Sequence, residues 1–581
     1  MKKFLSFLLS AELLVTNIIP LTQFQVSATA LNSTEVYGQG GIWSEIDASS
    51  DIPVQAKSSS IPSSFDITTN SNTARFFPPI GSQGNVNSCA GWASTYYQFT
   101  YEVNKFKNEA TTADNIYSPS WTYNYINCNM NVATYLTDAY SVLQNQGAML
   151  LKDYPYSSSL SSYSFEWSTD LDKMREALHY RATSYASSVS RNSLLSLDLI
   201  KSEISNGKAA VIWTNPDGWE TLVYSGKYVV ARSSYSEGGH FMTVVGYDDN
   251  FSVTINGQTL KGAFKLANSW GSSWGNNGYV WVLYDALLLQ SFYGTAWQSG
   301  MTGVRTPVFG GASYNKDDNI YYYYDNQFSF IDIHECENYF VETLQFTSYE
   351  PWKLKLYGKN GSVPSTSNEY LKTPTIHIKL DNISPLDNAS TRYLVFDYTN
   401  PDASFNVLNN LSTAWIMSAC SDSFYSTYGI RSRLTDNLGN LIEPYAGTTG
   451  TIYNNQYDKV HYSNIAKGRV TAYDNHAITE ADANLVIQYI ARVVEFSSLQ
   501  CCLADYNEDG DVDISDVIMM YGAIANANGR TFSLYDILPG MNYSIKDFIE
   551  SQMDISYGDY ISEHTDELES LNIIYNQDGL L

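Results

Sequence analysis

The sequence predicts a multidomain chain: an α+β domain, then an antiparallel β-sandwich, then a small α-helical module. Three observations carry that prediction. The chain has 581 residues, too many for one ordinary core when domains run to about 100–200 residues. Hydrophobic residues make up 44% of it, which is enough apolar material for real cores and argues against global disorder. The residue pattern also changes twice, near positions 300 and 460.

Taken in order, residues 1–30 read as a signal peptide. Lys2 and Lys3 form a charged start, an apolar stretch runs from Phe4 to about Ile19, and Ala28-Thr29-Ala30 supplies a small-x-small cleavage site. Glu12 and Asn17 interrupt that stretch, so it is too short and too polar for a membrane anchor. Residues 31–60 are polar and Ser-rich and read as a linker or a short pro-segment. Residues 61–300 mix both periodicities. YYQFTYEVNKF (96–106) reads as a helix, and LDLIKSEISNGKAAVIW (197–213) as a helix stopped at Gly207 and followed by a β-branched strand. HFMTVVGYDD and GAFKLANSW read as short strands.

Residues 301–455 contain NIYYYYD, WKLKLYG, TIHIKL and RYLVFDY, separated by Asn, Asp, Gly, Pro and Ser clusters. Regular short strands with turn signals predict an antiparallel sandwich. Residues 465–526 hold two helical segments, each preceded by a loop-like stretch, and residues 527–581 are a polar, acidic tail.

The formal net charge is −27, which argues against nucleic acid, whose phosphates need a basic surface. Such a balance fits an exported protein. There are six cysteines, Cys89, Cys128, Cys336, Cys420, Cys501 and Cys502. That is sparse for a secreted chain of this length, so disulfides are not the organising principle.

Cys89 lies in QGNVNSCAGWAS, a small-residue turn that opens a helix. A thiol becomes a good nucleophile as its thiolate, which a helix N-terminus and a nearby histidine both favour. His240, in SEGGHFMTVVGYDD, follows two glycines at a strand start. Asn268, in KLANSWGSSWGNNGYVWV, can accept a hydrogen bond from one imidazole nitrogen and fix the ring. Gln83 can donate its amide to an oxyanion beside the Cys89 backbone N–H.

These residues, with Trp270-Gly271, Trp274-Gly275 and Gly278-Tyr279, resemble the papain-like cysteine peptidases. His240 and Asn268 lie roughly 130–180 residues past Cys89, near the family's spacing. IPSSFD at 61–66 resembles the family's mature start and Tyr154-Pro155-Tyr156 its mid-domain element. The resemblance implies an α+β papain-like catalytic fold over about residues 61–300. It makes Cys89 the nucleophile, His240 the acid/base, Asn268 the orienter and Gln83 the oxyanion donor. It also implies Trp270 as a shield for the Asn–His bond, a resting thiolate–imidazolium pair and a protein or peptide substrate. Three positions depart from the family. Val86 stands where a disulfide cysteine is frequent, Asn87 where glycine is common and Ala90 where Trp usually follows the nucleophile. The long pro-region of many members does not fit between residues 31 and 60. The alternative is a papain fold without activity that serves as a binding component.

DYNEDGDVDISD, residues 505–516, places Asp505, Asn507, Asp509, Asp513 and Asp516 at loop positions one, three, five, nine and twelve. Gly510 sits at the sharp turn and the Asp511 carbonyl at position seven. This is a hard-oxygen cage for Ca²⁺. An EF-hand would have a helix before the loop and usually Glu at position twelve; here Cys501-Cys502-Leu503 precede it and position twelve is Asp516. The pattern resembles a dockerin instead.

A second copy lies upstream in GRVTAYDNHAITEADANLVIQYIARVV. It aligns Ile478 with Val512 and Asp482 with Asp516, but Thr471, Tyr473 and His476 replace ligands and glycine. One strong and one weak or empty site are expected, with calcium structural. The resemblance implies attachment to a cohesin-bearing scaffold, as in cellulosomes. A calcium sensor is disfavoured, because one intact loop lacks the geometry of a paired switch. Residues 310–420 are similar to the lectin-like sandwich behind some bacterial papain-like peptidases. Their aromatic residues either stack on carbohydrate or fill a core, and core filling is the favoured reading.

Overall fold

The computed structural model describes residues 37–43, 61–288 with short gaps at 128–129, 190–193, 195, 235–237 and 256–257, strands and turns within 305–462, and 465–576 apart from 475, 554 and 571–572. The signal-peptide reading and Cys128 lie outside the described residues. Among the described residues no helix is long and apolar enough to cross a membrane.

The first half is organised by one buried helical run, Cys89–Gly91, Trp92–Phe99 and Thr100–Lys107. Every residue from Cys89 to Asn104 is buried, and the polar members of the run are hydrogen-bonded, as buried polar groups must be: Ser94 to Ala90 O, Thr95 to Thr122, Gln98 to Ala209 O and Glu102 to Ala209 N. Its middle, Trp92–Phe99, is wound as a π-helix, a rare form that clusters near functional sites. Asn108 ends the run in the left-handed conformation at φ 58°. Pro119–Ile126, with Pro at its first turn, and Leu136–Asn145 complete the helical layer.

Against the run lies a ten-stranded sheet. Its path is Arg305–Thr306, Lys227–Ser234, Tyr279–Leu283, Gln258–Ala267, His240–Ile255, Ala210–Thr214, Asn326–Glu335 and Tyr180–Val189. Ser64–Asp66 and Trp219–Tyr224 are added at the sides. The two short strands expected around His240 and Asn268 form one long hairpin, His240–Ile255 with Gln258–Ala267. Helix Leu197–Ser205 stops before Gly207, at φ 82°, and strand Ala210–Thr214 follows, as the sequence predicts.

The sheet does not end at residue 300. Asn326–Glu335 pairs antiparallel with Tyr180–Val189 over ten residues and with Val211 and Ile212 on its other side. Phe328, Phe330 and Ile331 are fully buried there. A strand that the sequence places in the sandwich is therefore internal to this sheet. Beyond it, the described strands form a three-stranded antiparallel sheet (Ser390–Asp397, Val341–Ser348, Tyr428–Thr435) and a five-stranded one through Ile376–Ile378, Leu354–Asn360, Trp415–Ser421, Tyr457–Tyr462 and Tyr445–Gly447. Arg181 reaches across to Asp397 at 2.5 Å, both buried.

At the C-terminus, helices Glu480–Ile490, Ser498–Ala504 and Ile514–Ala527 are joined by Ile545–Gln552 and Tyr557–Ser570. The acidic tail is part of this unit. Phe532 stacks on Tyr521 with centroids 5.1 Å apart, Tyr560 OH bonds to Ser515 Oγ at 3.0 Å, and Ser533 bridges to Ile574.

Candidate active site and acidic loop

Cys89 is the first residue of the helical run, with Ser88 at its N-cap. Local chemistry fixes that turn. Gly84 has φ 56°, and an added Cβ would lie 1.8 Å from the Ser158 carbonyl oxygen. Tyr156 OH donates to the Gln83 carbonyl at 2.9 Å and is linked to Ser88 Oγ at 2.7 Å. The unpaired N–H groups of a first helical turn favour negative charge at this position.

His240 opens the central strand opposite Thr214. Its Nε2–H donates to Asn268 Oδ1 at 2.8 Å, and the same oxygen accepts the Ser269 N–H at 2.8 Å. Asn268 is placed by its strand end and by Tyr97 OH, which donates to its carbonyl at 2.9 Å. The Trp270 ring covers His240 with centroids 4.7 Å apart. The backbone of Phe241, next to His240, favours the Cys89 thiolate and so works against the effect of burial. His240 Nδ1 is buried and has no hydrogen-bond partner among the described residues. Nε2 is thus the anchored nitrogen and Nδ1 the one left to exchange a proton.

The family model described as papain family cysteine protease matches residues 61–289. These residues form a papain-family cysteine protease domain. Among solved structures, xylellain, a cysteine protease from Xylella fastidiosa, is 20% identical over 43% of this chain and 91% of its own, with a TM-score of 0.33. Procathepsin B S9 from Trypanosoma congolense is 15% identical over 42% and 80%, with a TM-score of 0.31. The bromelain protease from Ananas comosus, in complex with the E64 inhibitor, is 16% identical over 39% and 91%, with a TM-score of 0.27. No curated protein matches the chain.

Gln83 of the protease domain is buried, and its Oε1 accepts from Ser269 Oγ at 2.6 Å. Its Nε2 donates to Val86 O at 2.8 Å and to Gly38 O at 2.9 Å. Ser269 and Tyr156 thus fix the Gln83 amide and the Cys89 turn; the Tyr154-Pro155-Tyr156 run is visible in the sequence, whereas the link from Tyr156 OH to that turn is made by the fold. The departures from the family pattern have replacements. Val86 packs with Tyr123 and Tyr163, and Asn87 donates from its backbone to Asn131 Oδ1 at 2.7 Å.

Residues 37–43 lie across the protease cleft. Gly38 O accepts from both Gln83 Nε2 and Trp270 Nε1, the latter at 3.2 Å. Tyr37 stacks on Trp270 with centroids 5.2 Å apart. Gly40 and Gly41 donate to Gly239 O at 3.0 and 2.9 Å, Trp213 Nε1 donates to Gly41 O at 3.0 Å, and Gly41–Ile42 pairs parallel with Thr134–Tyr135. Side chains are excluded here: a Cβ on Gly38 would sit 2.1 Å from Val86 O.

Under this strap Cys89 and His240 have no exposed surface. Burial raises the Cys89 thiol to about 12, outweighing the hydrogen bonds from Phe241, Ala90 and Cys89 backbone. Burial also lowers His240 to about 4 despite the Asn268 bond. Burial under the strap thus favours the neutral thiol and imidazole, and works against the thiolate–imidazolium pair that the resemblance implies.

Far along the chain, the 505–516 loop is closed by its own carboxylates. Asp505 Oδ1 and Oδ2 accept the amides of Asp509 and Gly510 at 3.1 and 3.2 Å. Asp516 accepts those of Tyr506, Asn507 and Asp513 at 2.6, 3.1 and 2.8 Å. Gly510 turns at φ 100°. Asp511 N–H donates to Asp509 Oδ1 at 2.9 Å. Burial raises the Asp516 carboxyl to about 6 against these amide bonds. Among the described residues no three acidic, His or Cys side chains converge as metal ligands. The donor chemistry, oxygen only around a sharp turn, nevertheless suits a hard cation.

Proposed function

We propose that this chain is a secreted cysteine peptidase that hydrolyses peptide bonds through Cys89 and His240, and that residues 37–43 hold it closed. The bond between His240 Nε2 and Asn268 Oδ1, 2.8 Å long beside the Cys89 helix N-terminus, carries this reading. It leaves the Nδ1 lone pair as the base. Once the strap leaves, His240 Nδ1 takes the Cys89 proton while the sulfur attacks the substrate carbonyl carbon. The oxyanion is received by Gln83 Nε2 and the Cys89 N–H. The imidazolium then protonates the leaving amine, and water, deprotonated by the same nitrogen, cleaves the thioester. With the four roles filled, the inactive binding component is the less favoured reading.

The C-terminal unit is proposed as a dockerin-like tether to a cohesin-bearing scaffold. Asp505, Asn507, Asp509, Asp513, Asp516 and the Asp511 carbonyl would hold Ca²⁺, which supplies positive charge to an acidic loop.

The test is labelling of the purified chain with the epoxide inhibitor E-64, followed by mass mapping. One adduct on Cys89 that disappears in His240→Ala is expected once the strap is removed by limited proteolysis. A folded, strap-free chain that takes no adduct would overturn the peptidase reading.

A further inference from the structure

The two loop copies are related by an offset of 34 residues, and the bonds at the helix N-caps keep that register. Asp516 Oδ2 accepts the amide of the N-cap Asp513 at 2.8 Å, and Asp482 Oδ2 accepts that of the N-cap Thr479 at 2.9 Å. Each aspartate also accepts at the start of its loop, Asp516 from Tyr506 N and Asp482 from Thr471 N at 2.9 Å. Both aspartates are fully buried. The copies differ in what faces the buried carboxylate.

Upstream, the residues do not fit a metal. Position three is Tyr473, whose hydroxyl is turned away onto the Asp436 carboxylate and Ser497 Oγ. His476, at the glycine position, is 79% exposed and pairs with Asp474. The space beside Asp482 is taken by Arg469. Its Nη1 donates to Asp482 Oδ2 at 2.6 Å and to Thr471 Oγ1 at 3.4 Å, while Nε and Nη2 donate to Asp474 Oδ1 and Oδ2 at 2.8 and 3.1 Å. The guanidinium is buried and planar, always charged, and matches two carboxylates at once. In the downstream copy the equivalent residue is Leu503, so that loop carries no cation of its own.

We propose that the Arg469 guanidinium is a built-in cation that stands in the upstream loop where a divalent metal would otherwise sit. The upstream half then folds without metal, and the unit binds at most one ion. Calcium at the downstream loop rests on the reading above; the role of Arg469 does not.

Hydrogen exchange with mass analysis on the full chain, in EDTA and in Ca²⁺, separates the two. Peptides covering 469–482 should be equally protected in both conditions, and calorimetric titration should show no second ion. In Arg469→Gln, exchange of the Thr471 and Thr479 amides should rise about a hundredfold or more, with or without Ca²⁺, because a buried charge loses its partner. Arg469→Lys should fall between the two chains. Uptake of two ions per chain, or 469–482 protection that appears only with Ca²⁺, would overturn the proposal, as would unchanged exchange in Arg469→Gln. No ion bound at all, with Arg469→Gln still deprotected, would sink the calcium reading and leave Arg469 as assigned.

Discussion

Ser269 lies outside the proposed catalytic set but holds one of its members. Its Oγ donates to Gln83 Oε1 at 2.6 Å, which decides which end of the Gln83 amide faces the cleft. Without that bond the amide can turn over and present its oxygen, a repulsive group, to a developing oxyanion. Removing an oxyanion donor outright costs about 10²–10³ in kcat. Gln83→Ala should fall in that range, and Ser269→Ala should lower kcat by roughly threefold to tenfold with KM nearly unchanged. The double variant should be no worse than Gln83→Ala alone, because the two residues act as one unit. Losses that multiply in that cycle would show that Ser269 acts by another route. The residues of the proposed catalytic set are legible as candidates, since Cys89, His240, Asn268 and Gln83 each stand in a distinctive short context. Ser269 is not, because its partner is set by the backbone bridge from Ser82 to Trp270.

At the scale of elements, the strap is the feature least legible in the sequence. Residues 31–60 read as a linker or short pro-segment, and Gly38-Gln39-Gly40-Gly41 looks merely flexible. It docks through backbone bonds, to Gln83, Gly239 and Thr134, which leave no side-chain pattern. The π-wound stretch Trp92–Phe99 is equally hidden, since nothing in WASTYYQF separates a π-turn from an α-turn. The strap also sets a pH dependence. In the closed state His240 is held at about 4, against an ordinary value of 6.5, so between those values the open state binds more protons and acid favours opening. Cys89 is held at about 12 against 9.0, so above pH 9 the open state loses the thiol proton first and alkali also favours opening. The closed state should therefore be most stable from about pH 6.5 to 9. E-64 labelling of the intact chain should be slowest near pH 7.5 and rise towards pH 5. Gly38→Ala, whose Cβ would meet Val86 O at 2.1 Å, should label at least tenfold faster at pH 7.5 and flatten that profile. A variant as slow as the parent would mean that the strap does not limit access.

For the whole molecule, the boundary near residue 300 marks a change of composition, not the edge of a core. Alternating strands read alike whether they join the preceding sheet or begin a new one, because sheet partners are chosen by tertiary contacts. Asn326–Glu335 lies between Tyr180–Val189 and Ala210–Thr214. Gln98, on the buried helical run, donates to both Ala209 O at 2.8 Å and Ser329 O at 2.9 Å. Lys208 Nζ adds a bond to Ile331 O at 3.0 Å. Removing the strand would expose the ladder edges of two neighbours, take away the Ser329 acceptor of the Gln98 amide and lose three fully buried side chains, Phe328, Phe330 and Ile331. At about 1.5–3 kcal/mol for each buried side chain, the loss is roughly 5–9 kcal/mol, comparable with the entire stability of a typical domain. A chain ending at residue 300 should thus be insoluble or melt without a cooperative transition, although it keeps Cys89, His240, Asn268 and Gln83. One ending at residue 462 keeps the strand and the Asp397 carboxylate that neutralises buried Arg181, and should melt cooperatively. Calorimetry on the two chains decides the matter: a sharp transition in the shorter chain, within a few degrees of the longer one, would show that the protease domain is complete without its late strand.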